Sequence, residues 1–177
     1  MRNPNPKHKL IRANKIIDGT GKLPINNGIL LIEDTEIIAV GTERDLPLPE
    51  NSHVQEFNYN EATVLPGLVD CHVHLNGIGD GRAGDDLALL PDEIITLQSA
   101  RNARQHLYSG VTTIRDCGAK NKTTFMLRMA ADMGVTPTPR MMLAGRPIAI
   151  IGGHLSYFGE EATGPIECRA AVRQLIK

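Results

Sequence analysis

The stretch from Val64 to Leu75 constrains the fold more than any other part of this sequence. A short apolar run passes through Pro66 and Gly67 into a second apolar run, which ends in the pattern His-x-His at His72 and His74. Successive side chains of a β-strand point to opposite faces, so the two imidazoles share one face, roughly 7 Å apart along the strand. That spacing suits chelation of one metal ion.

The histidine pair also fits a solvated strand edge or a pair of core histidines. We favour metal binding because the pair closes an apolar strand and precedes a Gly-rich loop, the position at which (β/α) barrels keep their active sites. Asp70 lies on the same face, either supporting the ligands or bonding to backbone amides as a buried carboxylate. The alternate positions, Cys71, Val73 and Leu75, are expected in a packed layer.

Composition indicates an ordinary globular protein. Of its 177 residues, 41% are hydrophobic and 22% are charged, with a formal net charge of -1. The sequence has no run of lysine or arginine, so we expect no nucleic-acid partner and no anionic membrane surface. It has no signal-peptide pattern and no stretch near the ~20 apolar residues of a membrane span. Three widely spaced cysteines predict reduced thiols and a cytoplasmic location.

Residues 1–65 predict a small β-sandwich segment. Short runs of β-forming residues alternate with tight turns, and a Pro-rich loop covers Asp45–Ser52. Five such runs predict a small antiparallel sheet or sandwich. The expected strands are Leu10–Asp18, Gly28–Glu33, Glu36–Val40, Val54–Phe57 and Ala62–Leu65.

Residues 66–177 change to an alternation of strands and helices. Such alternation is the pattern of βαβ units around a parallel sheet, so the fold class is α/β. Pro91 opens one helix and Gly110 ends it, while Gly134 ends the next. The expected strands are Gly67–Leu75, Val111–Arg115 and Arg140–Ala144, and the expected helices are Pro91–Ser109, Thr123–Met133 and one beginning near Pro165.

Four motifs give the chain a family resemblance. They are N-K-I-I-D-G at Asn14–Gly19, L-P-G-L-V-D-C-H-V-H at Leu65–His74, G-V-T-T-I-R-D at Gly110–Asp116, and G-G-H at Gly152–His154. With them the chain resembles the amidohydrolase superfamily, and more closely its Xaa-Pro dipeptidase (prolidase)-like and imidazolonepropionase-related group. The resemblance implies a (β/α)8 TIM-type barrel. A barrel of this kind needs about 250 residues, so residues 66–177 hold only its first part, about three βα units.

The resemblance also implies a ligand set. In the family the first strand gives two histidines, the fourth a carboxylated lysine bridging two metals, the fifth and sixth one histidine each, and the eighth an aspartate. Only the first pair, His72 and His74, is in this sequence, because Lys177 falls on the third helix. The implied cofactor is one or two divalent metal ions, zinc above all. The implied reaction is cleavage of an amide or peptide bond by a metal-activated hydroxide, in a dipeptidase- or carboxypeptidase-like enzyme.

The loop after the third strand carries the remaining candidates. His154 follows two glycines, and the likeness to dipeptidases implies a catalytic and substrate-binding role, as hydrogen-bond donor to a substrate carbonyl or carboxylate. A loop histidine without a role is the alternative. Tyr157 and Arg146 either contact the substrate or are structural. Arg115 and Asp116 are expected to pair with each other or with neighbouring loops.

Three βα units leave unpaired strand edges and a bare apolar face, which favours association. We therefore expect a second polypeptide or a C-terminal remainder to complete the barrel, and an oligomer, with a small molecule or dipeptide as substrate. Two alternatives stay open. One is an imidazolonepropionase-like cyclic amidohydrolase or deaminase, distinguished by histidine rather than lysine on the missing fourth strand. The other is an inactive fragment that serves as an assembly partner.

Overall fold

A computed structural model describes residues 8–46, 54–81 and 84–176 of the chain. The chain divides into two compact units, Met1–Pro66 and Gly67–Lys177. Most of the Pro-rich loop expected at Asp45–Ser52 lies outside the described residues, as does Lys177. Each unit contains a sheet of its own, and the two are taken in turn.

The first unit contains a four-stranded sheet. Its strands are β1 (His8–Ile16), β2 (Ile25–Glu33), β3 (Glu36–Thr42) and β4 (Val54–Val64), in the order β3-β2-β1-β4. Strand β2 pairs antiparallel with β1 and β3, whereas β4 runs parallel to β1. Asp34, in the two-residue turn between β2 and β3, has a φ of 53°. Aspartate tolerates this left-handed conformation better than most residues do, which explains the sharp turn.

Apolar side chains cover both faces of this sheet. One buried cluster contains Leu10, Ile29 and Leu31, and the other contains Ala13, Ile16 and Leu30. Consecutive residues of a strand point to opposite faces, so β2 contributes Leu30 to one layer and its two neighbours to the other.

The sheet differs from its sequence-based prediction in two ways. The expected strands Val54–Phe57 and Ala62–Leu65 are one continuous strand, β4, because the polar residues between them stay extended while β4 pairs with β1. The sheet is mixed rather than antiparallel, and among the described residues of this unit it is a single sheet. Hydrophobic alternation predicts that a strand exists, but the strand with which it pairs depends on contacts remote in sequence.

The second unit is built from βα repeats. Its main strands are β5 (Leu68–Val73), β6 (Val111–Asp116) and β7 (Arg140–Leu143), and its helices are α1 (Gly84–Ala88), α2 (Asp92–Tyr108), α3 (Thr123–Asp132) and α4 (Gly164–Leu175). The strands are parallel in the order β5-β6-β7, with α2 and α3 in the connections. Sequential order with a helix in each connection is how a (β/α) barrel begins. The predicted α/β fold class is confirmed.

The helix ends fall at the proline and glycine residues that the sequence predicts as helix start and stop signals. Helix α2 begins directly after Pro91 with two acidic residues in its first turn, and Gly110 follows it with a φ of 89°. The long loops contain short elements that the pattern did not predict: α1, and two-residue strands β8 (Ile148–Ala149) and β9 (Glu160–Glu161), which pair in parallel.

Among the described residues, no helix combines the length and apolar character that crossing a membrane requires.

The core of the second unit joins the sheet to helices α2 and α3. Val73 and Leu75 are buried in it, as expected, together with side chains from both helices and the next two strands: Ala103, Ile114, Leu127 and Met141. Cys71 is exposed, so its expected place in this layer is wrong. The pairing of β5 with β6 shifts register between Asp70 and Val73, which breaks the strict alternation of faces.

Candidate active site

His72 and His74 lie at the end of strand β5, and their rings approach each other. The two Nε2 atoms are 3.3 Å apart, and the ring centroids are 5.2 Å apart with the planes inclined at 74°. His72 is exposed and His74 is half-buried. The two nitrogens therefore converge beside the end of the strand, on the side open to a ligand.

A backbone carbonyl fixes the orientation of His74. Its Nδ1 lies 3.1 Å from the carbonyl oxygen of Gly118. A carbonyl oxygen can only accept a hydrogen bond, so the neutral imidazole carries its proton on Nδ1 and leaves the Nε2 lone pair turned towards His72. Histidines that bind metals commonly hold their second nitrogen in this way.

Asp116 ends strand β6 and is fully buried. Its carboxylate accepts hydrogen bonds from the N–H of Leu75 at 2.9 Å and from the N–H of Gly118 at 3.0 Å. Burial raises the pKa of this carboxyl, while the two N–H donors act in the opposite direction. Of the two pairings expected for Asp116, the structure shows the one with neighbouring loops.

Two asparagines hold the backbone that follows His74, and sequence reasoning missed both. Asn102 donates to the carbonyls of Leu75 and Gly77 at 2.9 and 2.6 Å. The fully buried Asn76 donates to Ser99 at 2.9 Å and accepts from the N–H of Lys120 at 2.6 Å. An asparagine two residues after the histidine pair was the available signal, because a polar side chain in an apolar run needs buried partners.

Asp70 bonds to the backbone rather than to an imidazole in the described contacts. Its carboxylate accepts from the N–H of His72 at 3.1 Å, and the residue is half-buried. Of the two roles left open for Asp70, this contact fits the carboxylate bonded to a backbone amide. It holds the backbone of the exposed His72, as Asp116 does for Leu75, the residue after His74.

The loop after β7 brings His154 and Tyr157 to a cavity that also includes His74. The cavity has a volume of about 220 Å³, and residues 77–81 form another part of its wall. His154 is exposed, and Tyr157 packs edge-on against the buried Phe158. The Tyr157 hydroxyl lies so close to Gly84 that a side chain there would collide with it. His74, His154 and Tyr157, three of the residues predicted for the site, thus line one cavity.

Arg146, in the same loop, is engaged within the protein. Its guanidinium forms an ion pair with Glu160 at 2.8 Å and donates to the carbonyl of Gly159 at 2.9 Å. These contacts close the loop on itself next to the β8–β9 pair. Of the two roles considered for Arg146, they fit the structural one.

The histidine pair fits part of a zinc site. Two ligands of a tetrahedral zinc ion, each about 2.0–2.1 Å from the metal, stand roughly 3.3–3.4 Å apart. The Nε2 atoms of His72 and His74 are 3.3 Å apart. Within residues 8–46, 54–81 and 84–176, no group of three or more His, Cys, Asp or Glu side chains is placed to hold a metal ion.

Comparison with known proteins places the second unit in a family. A sequence profile of the amidohydrolase family matches residues 63–177. Ochratoxinase from Aspergillus niger is 29% identical over 154 residues, which are 86% of this chain and 31% of that protein. Imidazolonepropionase from Agrobacterium fabrum is 23% identical over 172 residues, covering 84% of this chain and 39% of that protein.

The chain also resembles solved structures, both in its sequence and in its fold. A Xaa-Pro dipeptidase crystallised with methionine in its active site has a TM-score of 0.78 and 26% identity, over 96% of this chain and 44% of that chain. The chain therefore spans about a third of the length of the curated relatives it matches, and less than half of this structure.

Proposed function

The chain belongs to the amidohydrolase family, and we propose that it is the N-terminal part of a metal-dependent hydrolase that cleaves an amide or peptide C–N bond. One observation carries the proposal: the Nε2 atoms of His72 and His74 converge to 3.3 Å, with His74 turned into place by the Gly118 carbonyl. We favour a dipeptidase- or carboxypeptidase-like activity, supported by the similarity to a Xaa-Pro dipeptidase over 96% of this chain.

His72 and His74 would hold the metal, and zinc suits their imidazole donors. When bound, a divalent metal supplies a Lewis acid that polarises the scissile carbonyl. The chain's own contribution is orientation: Gly118 keeps the His74 proton on Nδ1, and Asp70 fastens the His72 backbone. A second metal would need a carboxylated lysine from a part of the barrel beyond this chain.

His154 and Tyr157 would act on the substrate. The exposed His154 shares the cavity of about 220 Å³ with His74, where a ring N–H can donate to a substrate carbonyl or carboxylate. The Tyr157 hydroxyl is held against Gly84 in the wall of the same cavity. These two side chains would set where the substrate lies relative to His74.

The active enzyme would need the rest of the barrel. Strands β5 and β7 are the edges of the three-stranded sheet, and Leu68 and Met142 on them are 53% and 62% exposed. An edge strand presents a row of unpaired backbone N–H and C=O groups, so these two strands are where further barrel strands would pair. A C-terminal remainder or a second polypeptide would supply them, and an oligomer would be the working form.

The three cysteines, Cys71, Cys117 and Cys168, are all free thiols. Free thiols in this number support a reducing compartment, and we place the protein in the cytoplasm.

A second candidate function is hydrolysis of a cyclic amide. It is supported by the similarity to imidazolonepropionase over 84% of this chain. The two candidates use the same histidine pair and differ in the substrate, so a panel containing Xaa-Pro dipeptides and a cyclic amide such as an imidazolone distinguishes them.

The test is to replace each ligand by alanine in the chain assembled with the polypeptide that completes the barrel. We expect His72→Ala and His74→Ala each to abolish hydrolysis of the panel and to lower the zinc retained after dialysis, because each removes one imidazole donor. Zinc is measured by mass spectrometry and folding by circular dichroism. His8→Ala is the matched control, since His8 lies in the first unit, 3.3 Å from Glu33.

Unchanged hydrolysis in either variant, with the control also unchanged, contradicts a metal-binding role for that histidine. Wild-type protein that retains no zinc and cleaves nothing in the panel contradicts the hydrolase and supports an inactive assembly partner.

A further inference from the structure

Asp116 is connected to His74 by two short paths through the backbone. The carboxylate accepts from the N–H of Leu75, the residue directly after His74. It also accepts from the N–H of Gly118, the residue whose carbonyl holds the Nδ1 of His74. One buried side chain therefore fixes both backbone segments between which the imidazole is held.

We propose that Asp116 is a positioning residue for His74, which keeps the Nε2 lone pair of that imidazole turned towards His72. The proposal rests on the proposed function, because it assigns the carboxylate a role in preparing a metal ligand. Asp116 acts through Gly118 and Leu75 and touches neither metal nor substrate.

The kind of group at this position supports the assignment. Packing would favour an apolar residue at the end of β6, because burying a carboxylate costs free energy unless it is hydrogen-bonded. The two N–H groups point at the two separate oxygens, Oδ2 for Leu75 and Oδ1 for Gly118. An acceptor with two oxygens is therefore needed, and an aspartate carboxylate is the shortest side chain that provides it.

The surroundings of Gly118 make its carbonyl a defined anchor. A side chain built at Gly118 would lie 3.3 Å from Pro147 and 3.4 Å from Leu155, so the loop that carries His154 packs closely over this residue. Leu155 itself has a φ of 63°, a strained conformation for leucine that the surrounding structure must hold. Gly118 is thus fixed by Asp116 on its amide side and by the His154 loop above it.

The first arm of the test is Asp116→Asn, which preserves size but replaces one acceptor oxygen by an NH₂ group that cannot accept. In wild-type protein, long-range ¹H–¹⁵N spectra at about pH 8, above the ordinary histidine pKa, should show His74 as a single Nδ1–H tautomer. In Asp116→Asn, His74 should become a mixture of tautomers while the exposed His154 is unchanged. Zinc affinity, measured by chelator competition, should fall about 10- to 100-fold, the usual effect of losing a group that supports a ligand.

Ile95→Val is the matched control for a general loss of packing, because Ile95 is fully buried in α2 and is not bonded to Asp116. It should leave the His74 tautomer and zinc affinity unchanged. An Asp116→Asn protein that folds and keeps a single Nδ1–H tautomer overturns the proposal. If the wild-type chain, assembled with the polypeptide that completes the barrel, shows the tautomer but binds no zinc, Asp116 remains a positioning residue and the proposed function is contradicted instead.

A measurement on unmodified protein decides the question if Asp116→Asn does not fold. Hydrogen exchange should find the amides of Leu75 and Gly118 strongly protected together with the single His74 tautomer. Rapid exchange at Gly118, or a mixture of tautomers in wild-type protein, overturns the proposal.

Discussion

Ile37 in the first unit and Met142 in the second are both 62% exposed, and both lie on an edge strand. The mixed sheet that contains Ile37 has buried apolar clusters on both faces, and exposed apolar residues such as Ile37 and Ile38 are ordinary on a protein surface. Around Met142 the sheet is parallel, a type that normally has both faces covered. Exposure alone does not indicate a missing partner, whereas exposure at the edge of a short parallel sheet supports the proposal that further strands cover this surface.

The two units also differ in where polar groups are buried. Among the residues that the structure describes, the fully buried polar side chains are in the second unit: Asn76, Ser99, Asp116, Thr123 and Thr124. All of them except Thr124 have a hydrogen-bond partner, which makes this unit geometrically specific at the expense of simple apolar packing. The histidine pair lies in the unit whose parallel sheet has exposed edges and whose strand ends are hydrogen-bonded by buried side chains.

The largest expected effect is on association. Met142→Lys should weaken self-association, or binding to the completing polypeptide, at least about tenfold, because an interface there would have to desolvate an unpaired ammonium. Ile37→Lys, at equal exposure in the first unit, should change neither. Analytical ultracentrifugation measures both. If wild-type protein is a compact 19.3 kDa monomer with no affinity for further barrel strands, the distinction between the two edges fails.

A smaller effect is expected from removing a buried amide. Asn76→Ala should lower the free energy of unfolding by about 1–3 kcal/mol, because the groups bonded to the amide lose a buried partner. The exposed Asn58→Ala, on strand β4 of the first unit, should change it by less than about 0.5 kcal/mol. Urea unfolding followed by circular dichroism gives both values. Equal effects would contradict a stabilising role for the buried Asn76 amide.

The smallest expected effect concerns Asp18, in the turn after β1. A hydrogen bond from the Thr20 N–H, and another from its hydroxyl, lower the pKa of this exposed carboxyl below its ordinary value. A carboxyl whose pKa is lower in the folded than in the unfolded protein stabilises the fold at pH values above its unfolded-state pKa. That contribution is lost as the pH falls through the folded-state pKa. Thr20→Val should raise the pKa of Asp18, measured from its carboxyl ¹³C shift during a pH titration. An unchanged pKa would leave the hydroxyl without a role.

Much of the fold could be predicted from local sequence. Pro91 and Gly110 bracket α2 as expected, and the alternation of strands and helices gave the α/β class and the start of a barrel. The family resemblance from four motifs is confirmed by the profile match over residues 63–177. The pairing of β4 with β1 was not predicted, because two strands in parallel require a connection whose path no local pattern records.

For the site, the sequence by itself determined which residues stand at the end of β5. The His-x-His pattern places two imidazoles two positions apart in the chain, whatever the strand pairs with. The tertiary structure alone decided which way His74 faces. The Gly118 carbonyl is 44 residues away from it, and Asp116 is 41 residues from Leu75. Parallel pairing of β5 with β6 brings these groups together, and such long-range contacts depend on the folded chain as a whole.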